Sequence, residues 1–450
     1  MTRAPTRGEL AESRVLVLGL GRAGLAMAGF LLGLGTQVFA YDDNAAVFRS
    51  PGARRLRERG MRFTRKPERL EVDWVVVSPG IEDQNQALKR LRKAGAEVVD
   101  ELDLSSTLVR GGLVGVTGTN GKSTTVALVG QMLKRTGKRV FVGGNIAPGR
   151  PLASGLRGRF DWYVVEASSF QLERARWFAP DVAVVLNITA DHLDRHLTRA
   201  RYAEAKFRIL DRQSESQFAV LNRDDPVVMK AKERGRGERV LFSMRYKLRR
   251  GALLNRRGLW FRGREVAPAN LLRIPGRHNI QNALAAVCAA KLAGASDRAV
   301  RRTLAEFRGL EHRLEAVREL GGVTWVNNSM CTNPAAGVHS LRAFGRKVVL
   351  ITGGSEKGLA FGEYAEEVTR RAKWTVLMGS SGPKLARRLE RLGYSRFEVA
   401  GELGRAVRAA NARAKPGDIV LFSPAFASFD QFRDFQDRGE AFRREVRSLG

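Results

Sequence analysis

An α/β fold built from three successive units is predicted by two features of the sequence and by its length of 450 residues. Short, uninterrupted runs of β-branched and aliphatic residues recur along the chain, and longer Ala-, Leu- and Arg-rich segments with helical periodicity lie between them. A strand with one wet face would alternate polar and apolar residues, so continuous apolar runs alternating with helices mark parallel sheets covered on both faces. At about 100–200 residues per domain the chain is long enough for two to four domains with sizeable cores.

The expected strands are VLVLG (15–19), WVVVS (74–78), LVGVT (113–117), WYVVE (162–166), VAVVLN (182–187), VVLITG (348–353), WTVLM (374–378) and DIVLFS (418–423), with helices over 122–136 and 282–293 among the intervening segments. No repeat of fixed period and no low-complexity linker marks a boundary. Motifs therefore set the units at 1–104, 105–310 and 311–450.

Hydrophobic residues make up 44% and charged residues 28%, with 14 Pro, the balance of a folded chain. The two cysteines, Cys288 and Cys331, cannot form a disulfide framework and fit a reducing, cytosolic compartment. The N-terminal MTRAPTRGELAESR lacks the apolar core of a signal peptide, and the most apolar stretch, 24–34, is too short to span a bilayer. A soluble cytoplasmic protein with no membrane insertion is expected. Lys and Arg number 78 against 46 Asp and Glu, a net charge of +32 that raises the question of nucleic acid. The excess is spread along the chain, in ARRLRERG (53–60), RYKLRR (245–250), RRLERLG (387–393) and FRREVRS (442–448), which reads as solvated helix faces and not as a docking stripe. No nucleic-acid partner is expected, although the charge should attract anionic ligands in a salt-sensitive way.

Ligands of open α/β sheets collect at the carboxyl ends of strands. The first such loop, GLGRAG, carries Gly19, Gly21 and Gly24 in G-x-G-x-x-G spacing, and Asp42 and Asp43 end the next strand. This pattern suits a diphosphate on a helix N-terminus with an acidic group on a ribose or base; the lesser alternative is a tight turn that lets helix and strand pack. A second turn, Ser78-Pro79-Gly80, would face the same anion. GTNGKSTT (118–125) is more specific. It follows a buried strand and opens a helix, so its backbone N–H groups can cradle phosphates, Lys122 can reach the β and γ phosphates, and the Ser123 hydroxyl can ligate Mg²⁺. Val116 stands where the strict motif has its first Gly. ATP binding follows. Two later strands end in Glu166 and in NITADHLDRH (187–196), where Asn187, Asp191 and His192 can face the nucleotide, while His196 reads as structural.

In order, GTNGKST, GGNI (143–146), EASSFQLE (166–173), NITADHLDRH, YAEAKFRI (202–209), GRHNIQNALAA (276–286) and EHRLE (311–315) resemble the Mur ligases, and LFSPAFASFDQFRDFQDRGEAF (421–442) resembles their glutamate-adding branch. The resemblance covers essentially the whole chain. It implies a Rossmann-like N-terminal domain for the UDP moiety, a central P-loop ATPase on a parallel sheet, and a Rossmann-like C-terminal domain for the amino acid. It also implies addition of D-glutamate to UDP-N-acetylmuramoyl-L-alanine through an acyl phosphate, in peptidoglycan precursor synthesis, by a monomer using ATP and Mg²⁺. A related ligase adding L-glutamate to the same substrate is the alternative.

Position by position, the resemblance places the UDP substrate against Gly21, Arg22, Ala23, Asp42, Asp43, Ser78, Gly80 and Asn145, and ATP against Gly118, Thr119, Asn120, Gly121, Lys122, Ser123, Thr124, Asn279, Asn282 and Arg313. It assigns catalysis to Lys122, Glu166, His192 and Lys206, with Ser123, Glu166, His192 and Lys206 organising the metal. Lys206 matches the lysine that the family carbamylates, which would turn an ammonium into an anionic oxygen ligand. Thr332, Lys357, Ser428 and Phe429 would hold glutamate, with Phe435 nearby. One departure stands out: the family usually reads NDSKATN where this chain has Asn327-Asn328-Ser329-Met330-Cys331-Thr332-Asn333, so an Asp becomes Asn328 and a Lys becomes Met330.

Two other classes explain less. A nicotinamide oxidoreductase accounts for the first glycine loop and leaves GTNGKST without a role. A nucleic-acid-stimulated NTPase requires a concentrated basic or aromatic groove, which the scattered arginines do not form.

Overall fold

The computed structural model describes residues 3–146, 149–189, 193–274, 276–356 and 358–450. Its contacts divide into two compact units, Met1–Phe307 and Arg308–Gly450.

The first unit carries two sheets. Strands β1 (Arg14–Leu18), β2 (Gln37–Tyr41), β3 (Arg62–Phe63), β4 (Trp74–Val77) and β5 (Val98–Asp100) form an all-parallel sheet in the order β3-β2-β1-β4-β5. The order reverses beside β1, so the loops after β1 and β4 lie together at the carboxyl edge. Alternate residues of one run serve opposite faces. Val15 and Val17 pack with Met27, Phe30 and Leu31 of helix Arg22–Leu32, whereas Leu16 and Leu18 pack with Leu88 and Leu91 of helix Gln86–Lys93. Each such side chain, fully buried, contributes about 1.5–3 kcal/mol.

The second sheet has nine strands: β6 (Gly112–Thr117), β7 (Val140–Gly144), β8 (Trp162–Glu166), β9 (Val182–Val185), β10 (Phe218–Asn222), β11 (Glu238–Ser243), β12 (Gly251–Leu254), β13 (Gly258–Phe261) and β14 (Arg264–Pro268), in the order β14-β13-β12-β11-β10-β9-β6-β8-β7. It is parallel from β7 across to β12 and antiparallel at β12-β13-β14. The chain passes to β7 and β8 on one side of β6, then crosses to β9 on the other, which makes β6 the switch point.

Buried acids stitch the two sheets of this unit together. Asp100 caps helix Glu101–Leu108 by accepting from the Leu102 N–H at 2.9 Å. The Glu101 carboxylate accepts from the Ala153 N–H at 2.8 Å and the Ser105 hydroxyl at 3.1 Å. Asp103 accepts from the backbone of Arg176 and Trp177 at 2.7 and 2.9 Å. Arg7 ties the far end of the helix down by donating to the Leu108 carbonyl at 2.7 Å and the Leu156 carbonyl at 3.2 Å.

The second unit holds β15 (Glu315–Leu320), β16 (Val323–Asn327), β17 (Val348–Gly353), β18 (Ala372–Met378), β19 (Phe397–Gly401) and β20 (Ile419–Phe422), in the order β15-β16-β20-β17-β18-β19. Only β15 runs antiparallel to its neighbour. Insertion of β20 between β16 and β17 sets the loops after all three side by side. Among the described residues no helix is long and apolar enough to cross a membrane.

Burial pushes the Glu101 carboxyl up to about 7 from 4.5, against the pull of its two hydrogen bonds, and raises Asp100 and Asp103 as well. A carboxyl whose folded pKa is raised leaves its stability intact below the unfolded value and loses it as the pH climbs through the folded one. The unit should therefore weaken between about pH 4.5 and pH 7, with a Glu101 share of roughly 3 kcal/mol. Glu101→Gln keeps a carbonyl oxygen for Ala153 and Ser105. It should melt close to wild type at pH 5 and above it at pH 8; equal melting temperatures at both pH values would refute the assignment.

Candidate functional site

The loop after β6 is shaped by glycine where no side chain fits. Gly118 has φ +148° and Gly121 φ +86°, and Gly121 caps helix Lys122–Lys134. A Cβ on Gly118 would lie 2.9 Å from the Leu186 side chain, and one on Gly121 would lie 2.1 Å from the Asn282 Oδ1. The end of β9 templates the turn: the Thr119 N–H donates to the Asn187 carbonyl and the Asn120 N–H to the Asn187 Oδ1, each at 2.8 Å, while the Asn187 Nδ2 donates to the Asn120 carbonyl at 3.0 Å. The Lys122 ammonium arches over the loop, donating to the carbonyls of Gly118 and Thr119 at 3.0 and 2.8 Å. Loop N–H groups, a helix N-terminus and an ammonium thus converge where phosphate oxygens can be held. Thr124 is half-buried on the first turn of the helix.

The ends of β7 and β8 supply oxygen and amide groups to the same place. The Ser123 hydroxyl donates to the Glu166 Oε2 at 2.6 Å, and the Asn145 Nδ2 donates to the Glu166 Oε1 at 3.3 Å. Both Ser123 and Glu166 are buried. Gly144, with φ +85°, lets the backbone turn closely enough for the Asn145 N–H to reach the Glu166 carbonyl at 2.9 Å. Lys206, 1% exposed on helix Arg199–Asp211, donates to the Gly118 carbonyl at 2.8 Å and lies 4.6 Å from the centre of the Tyr202 ring. Asn282, on helix Arg277–Leu292, donates to the Asn279 Oδ1 at 3.2 Å and meets Gly121. Ser123, Glu166, Asn145, Lys206, Asn279 and Asn282 therefore gather around one turn. Asp191 and His192 lie outside the described residues. His196 is buried, 3.0 Å from the Ser169 hydroxyl and stacked on Phe170 at 5.5 Å.

In the first sheet, Gly24 permits the closest approach: a Cβ there would sit 1.9 Å from the Gly19 carbonyl oxygen. The Ser78 hydroxyl donates to that same oxygen at 2.6 Å. Asp42 accepts from the Leu20 N–H at 2.7 Å and the Asn44 N–H at 2.9 Å, so its carboxylate shapes the glycine loop directly. Asp43 takes the Tyr41 hydroxyl at 2.9 Å and the Asn85 amide at 2.5 Å. Gly21 caps helix Arg22–Leu32, so Arg22 and Ala23 form its first turn, and Gly21 and Gly80 have open space on their Cβ side.

In the second unit Thr332, Ser428 and Phe429 lie on the loops after β16 and β20, with Ser428 buried and Phe429 exposed. Lys357 lies outside the described residues. Arg313 and Phe435 are half-buried, and the Phe435 ring stands edge-on to His312 at 6.3 Å. Asn328 turns inward: its amide donates to the hydroxyls of Ser340 and Ser423 at 2.7 and 3.1 Å and accepts from the Leu314 N–H at 3.2 Å. Met330, half-buried, donates its N–H to the His312 carbonyl at 3.0 Å.

Sequence reasoning missed Arg438. Its fully buried guanidinium donates to the carbonyls of Ser329, Phe426 and Ala427 at 3.0, 3.0 and 2.9 Å and to the Ser329 hydroxyl at 3.1 Å, pinning the loops that carry Thr332 and Ser428. Burial lowers it to about 10, so it stays charged near neutrality. Among 78 Lys and Arg nothing in the sequence sets one arginine apart, except that Arg438 precedes Gly439 within the Phe-rich string 421–442.

Three family models match the chain: a Mur ligase MurD-like N-terminal domain over residues 13–100, a Mur ligase middle domain over 116–290 and a Mur ligase glutamate ligase domain over 312–426. The UDP-N-acetylmuramoylalanine–D-glutamate ligase of Pelotomaculum thermopropionicum is 40% identical over 458 residues, covering 98% of this chain and 99% of that one. The enzyme of the same name from Caldanaerobacter subterraneus subsp. tengcongensis is 38% identical over 449 residues with the same coverage. Among solved structures, UDP-N-acetylmuramate-alanine ligase MurC from Thermotoga maritima is similar at a TM-score of 0.61 and 20% identity, over 97% of this chain and 99% of that one. MurF ligase from Thermotoga maritima, in complex with ADP, is similar at 0.57 and 20% over 98% and 97%. At that identity the two structures speak for the fold alone.

Gly121→Ala should cost stability on the order of 1–3 kcal/mol through its positive φ, with the clash against Asn282 added. It should also weaken binding of a nucleoside triphosphate at least tenfold, read by melting and by nucleotide titration. A variant that binds nucleotide normally would show that this close approach does not set the turn.

Proposed function

This chain belongs to the Mur ligase family, and we propose that it adds D-glutamate to UDP-N-acetylmuramoyl-L-alanine at the expense of ATP. The observation that carries this reading to the level of chemistry is the meeting of Ser123, Glu166 and Asn145 within hydrogen-bond distance at the phosphate-binding turn. The alternative, addition of L-glutamate, is not favoured, because the curated relatives matched over nearly the full chain are D-glutamate ligases.

The functional division follows the three sheets. Residues 1–104 would take the UDP moiety at Gly21, Arg22, Ala23, Asp42, Asp43, Ser78 and Gly80; residues 105–310 would hold ATP; residues 311–450 would bring glutamate to Thr332, Lys357, Ser428 and Phe429, with Phe435 nearby. ATP would lie with its phosphates on the turn Gly118–Thr124, and Asn279, Asn282 and Arg313 would complete its contacts. In the first step the alanine carboxylate attacks the γ-phosphorus, the bond to the β-phosphate oxygen breaks, and ADP leaves an acyl phosphate. Loop N–H groups and the Lys122 ammonium would stabilise the charge spreading over the phosphoryl oxygens. In the second step the glutamate amine attacks the acyl carbon, phosphate departs with the bonding pair, the nitrogen gives up a proton to solvent, and an amide remains.

The Ser123 hydroxyl and Glu166 carboxylate, hard oxygen donors 2.6 Å apart, fit a magnesium ion, which His192 and Lys206 would help to organise. Bound there, the metal would neutralise phosphate charge as the γ-phosphoryl group transfers. Carbamylation suits the setting of Lys206: a carbamate retains one N–H, so it can keep its donation to the Gly118 carbonyl while gaining two oxygens. Asn145, which donates to Glu166, would fix that carboxylate and meet the muramoyl side of the substrate.

Lys206→Ala should lose activity by at least a hundredfold and regain part of it with added short carboxylic acids, which supply oxygen ligands; unchanged activity would return Lys206 to a structural role. Phosphate release from ATP with UDP-N-acetylmuramoyl-L-alanine, run against D-glutamate, L-glutamate and neutral amino acids, should show D-glutamate preferred at least tenfold. Equal or better turnover with L-glutamate would overturn the proposed stereochemistry.

A further inference from the structure

The turn Glu311-His312-Arg313-Leu314 is strained on both sides of its arginine. His312 has φ +60° and Leu314 φ +44°, a region that non-glycine residues enter only when the surroundings hold them there. The holding groups are buried Asn328 and half-buried Met330 and Glu315. The Met330 N–H donates to the His312 carbonyl at 3.0 Å, the His312 N–H to the Glu315 Oε2 at 2.8 Å, and the Leu314 N–H to the Asn328 Oδ1 at 3.2 Å.

Asn327 grips the His312 side chain. Its Oδ1 accepts from the Ser329 N–H at 3.1 Å, which fixes the amide so that Nδ2 points at the His312 Nδ1, 3.0 Å away. His312 must then accept at Nδ1 and carry its proton on Nε2, the nitrogen 3.7 Å from Glu440. The same Nδ2 lies 3.3 Å from the Gly439 carbonyl, and a Cβ on Gly439 would come within 2.2 Å of the His312 Nδ1. His312, Asn327 and Asn328 are 2%, 0% and 5% exposed.

We propose that Asn327 and Asn328 are positioning residues for Arg313: their side-chain amides clamp the strained turn that presents its guanidinium. The inference rests on the reading that Arg313 contacts ATP. It also accounts for the amide at position 328. Ser340 already donates to the Ala336 carbonyl at 2.7 Å, so the group opposite must donate to the Ser340 oxygen. An amide does this while accepting from Leu314; an ionised carboxylate only accepts.

The test uses the full chain, with KM for ATP and kcat measured for Asn328→Leu, Asn328→Asp, Arg313→Ala and the double variant Asn328→Leu/Arg313→Ala. Asn328→Leu should raise KM for ATP about tenfold, leave KM for the UDP substrate within about twofold, and add nothing to Arg313→Ala. Asn328→Asp keeps the acceptor for Leu314 and loses the donor to Ser340, so it should raise KM for ATP less than Asn328→Leu does. Independent, multiplying effects in the double variant would overturn the inference, as would a lowered melting temperature with unchanged KM for ATP. Arg313→Ala with an unchanged KM for ATP would overturn the underlying assignment and the inference with it. Hydrogen exchange at the Leu314 amide distinguishes that outcome from a failed clamp: it quickens about tenfold in Asn328→Leu if the clamp holds and keeps the wild-type rate if it does not. Should Asn328→Leu not fold, Asn328→Ala, which removes the same acceptor without added bulk, replaces it throughout.

Discussion

The glycine turn after β6 depends on the place of that strand between β8 and β9. Parallel pairing on both sides brings three strand ends to one point, and each delivers one functional group: Gly118 to Lys122 from β6, Glu166 from β8 and Asn187 from β9. Asn187 satisfies the backbone of Thr119 and Asn120, so the turn is held by the sheet and not by its own sequence. Gly118 and Gly121 reach the positive-φ conformations the turn requires, and the bonds to Asn187 with the close packing against Leu186 and Asn282 hold them there. Rigid donors need no reorganisation as charge develops on a phosphoryl group, which is the condition for efficient electrostatic stabilisation.

The same economy appears at the seam within the first unit. Burying Asp100, Glu101 and Asp103 is unfavourable when they are ionised, and the raised pKa values of all three express that cost. The carboxyl groups accept from the backbone N–H groups of Ala153, Arg176 and Trp177, which offsets part of that cost. The seam thus combines directional hydrogen bonds with apolar contacts, Ala153, Leu156 and Trp177 packing with the core of the first sheet.

The second unit meets its demands with neutral amides and one arginine. Its loops after β16 and β20 are joined by Asn328, which donates to Ser340 and Ser423, and by Arg438, which donates to Ser329, Phe426 and Ala427. Satisfied polar networks of this kind fix a geometry that apolar packing alone leaves adjustable. The exposed arginines are a different population. Helix Gly382–Arg391 buries Gly382, Leu385, Ala386 and Leu389 and turns Arg387 and Arg391 to solvent, as scattered charge at helical spacing suggested.

The sequence by itself determined the class of fold and marked the glycine turn after β6. VLVLG, WYVVE and VVLITG announce themselves because strands buried on both faces must be apolar at every position, and GTNGKST does so because only glycine tolerates the backbone that cradles phosphate. Strands with a wet face or little length, such as Arg62–Phe63 and Phe397–Gly401, carry no such mark. Only the tertiary structure decided which polar groups work together. Glu166 and Ser123 are 43 residues apart, Asn120 and Asn187 are 67 apart, and Asn327 and Gly439 are 112 apart. Hydrogen bonds act over about 3 Å and leave no periodicity in the chain, so the groups they join become visible only when the strands have been laid side by side.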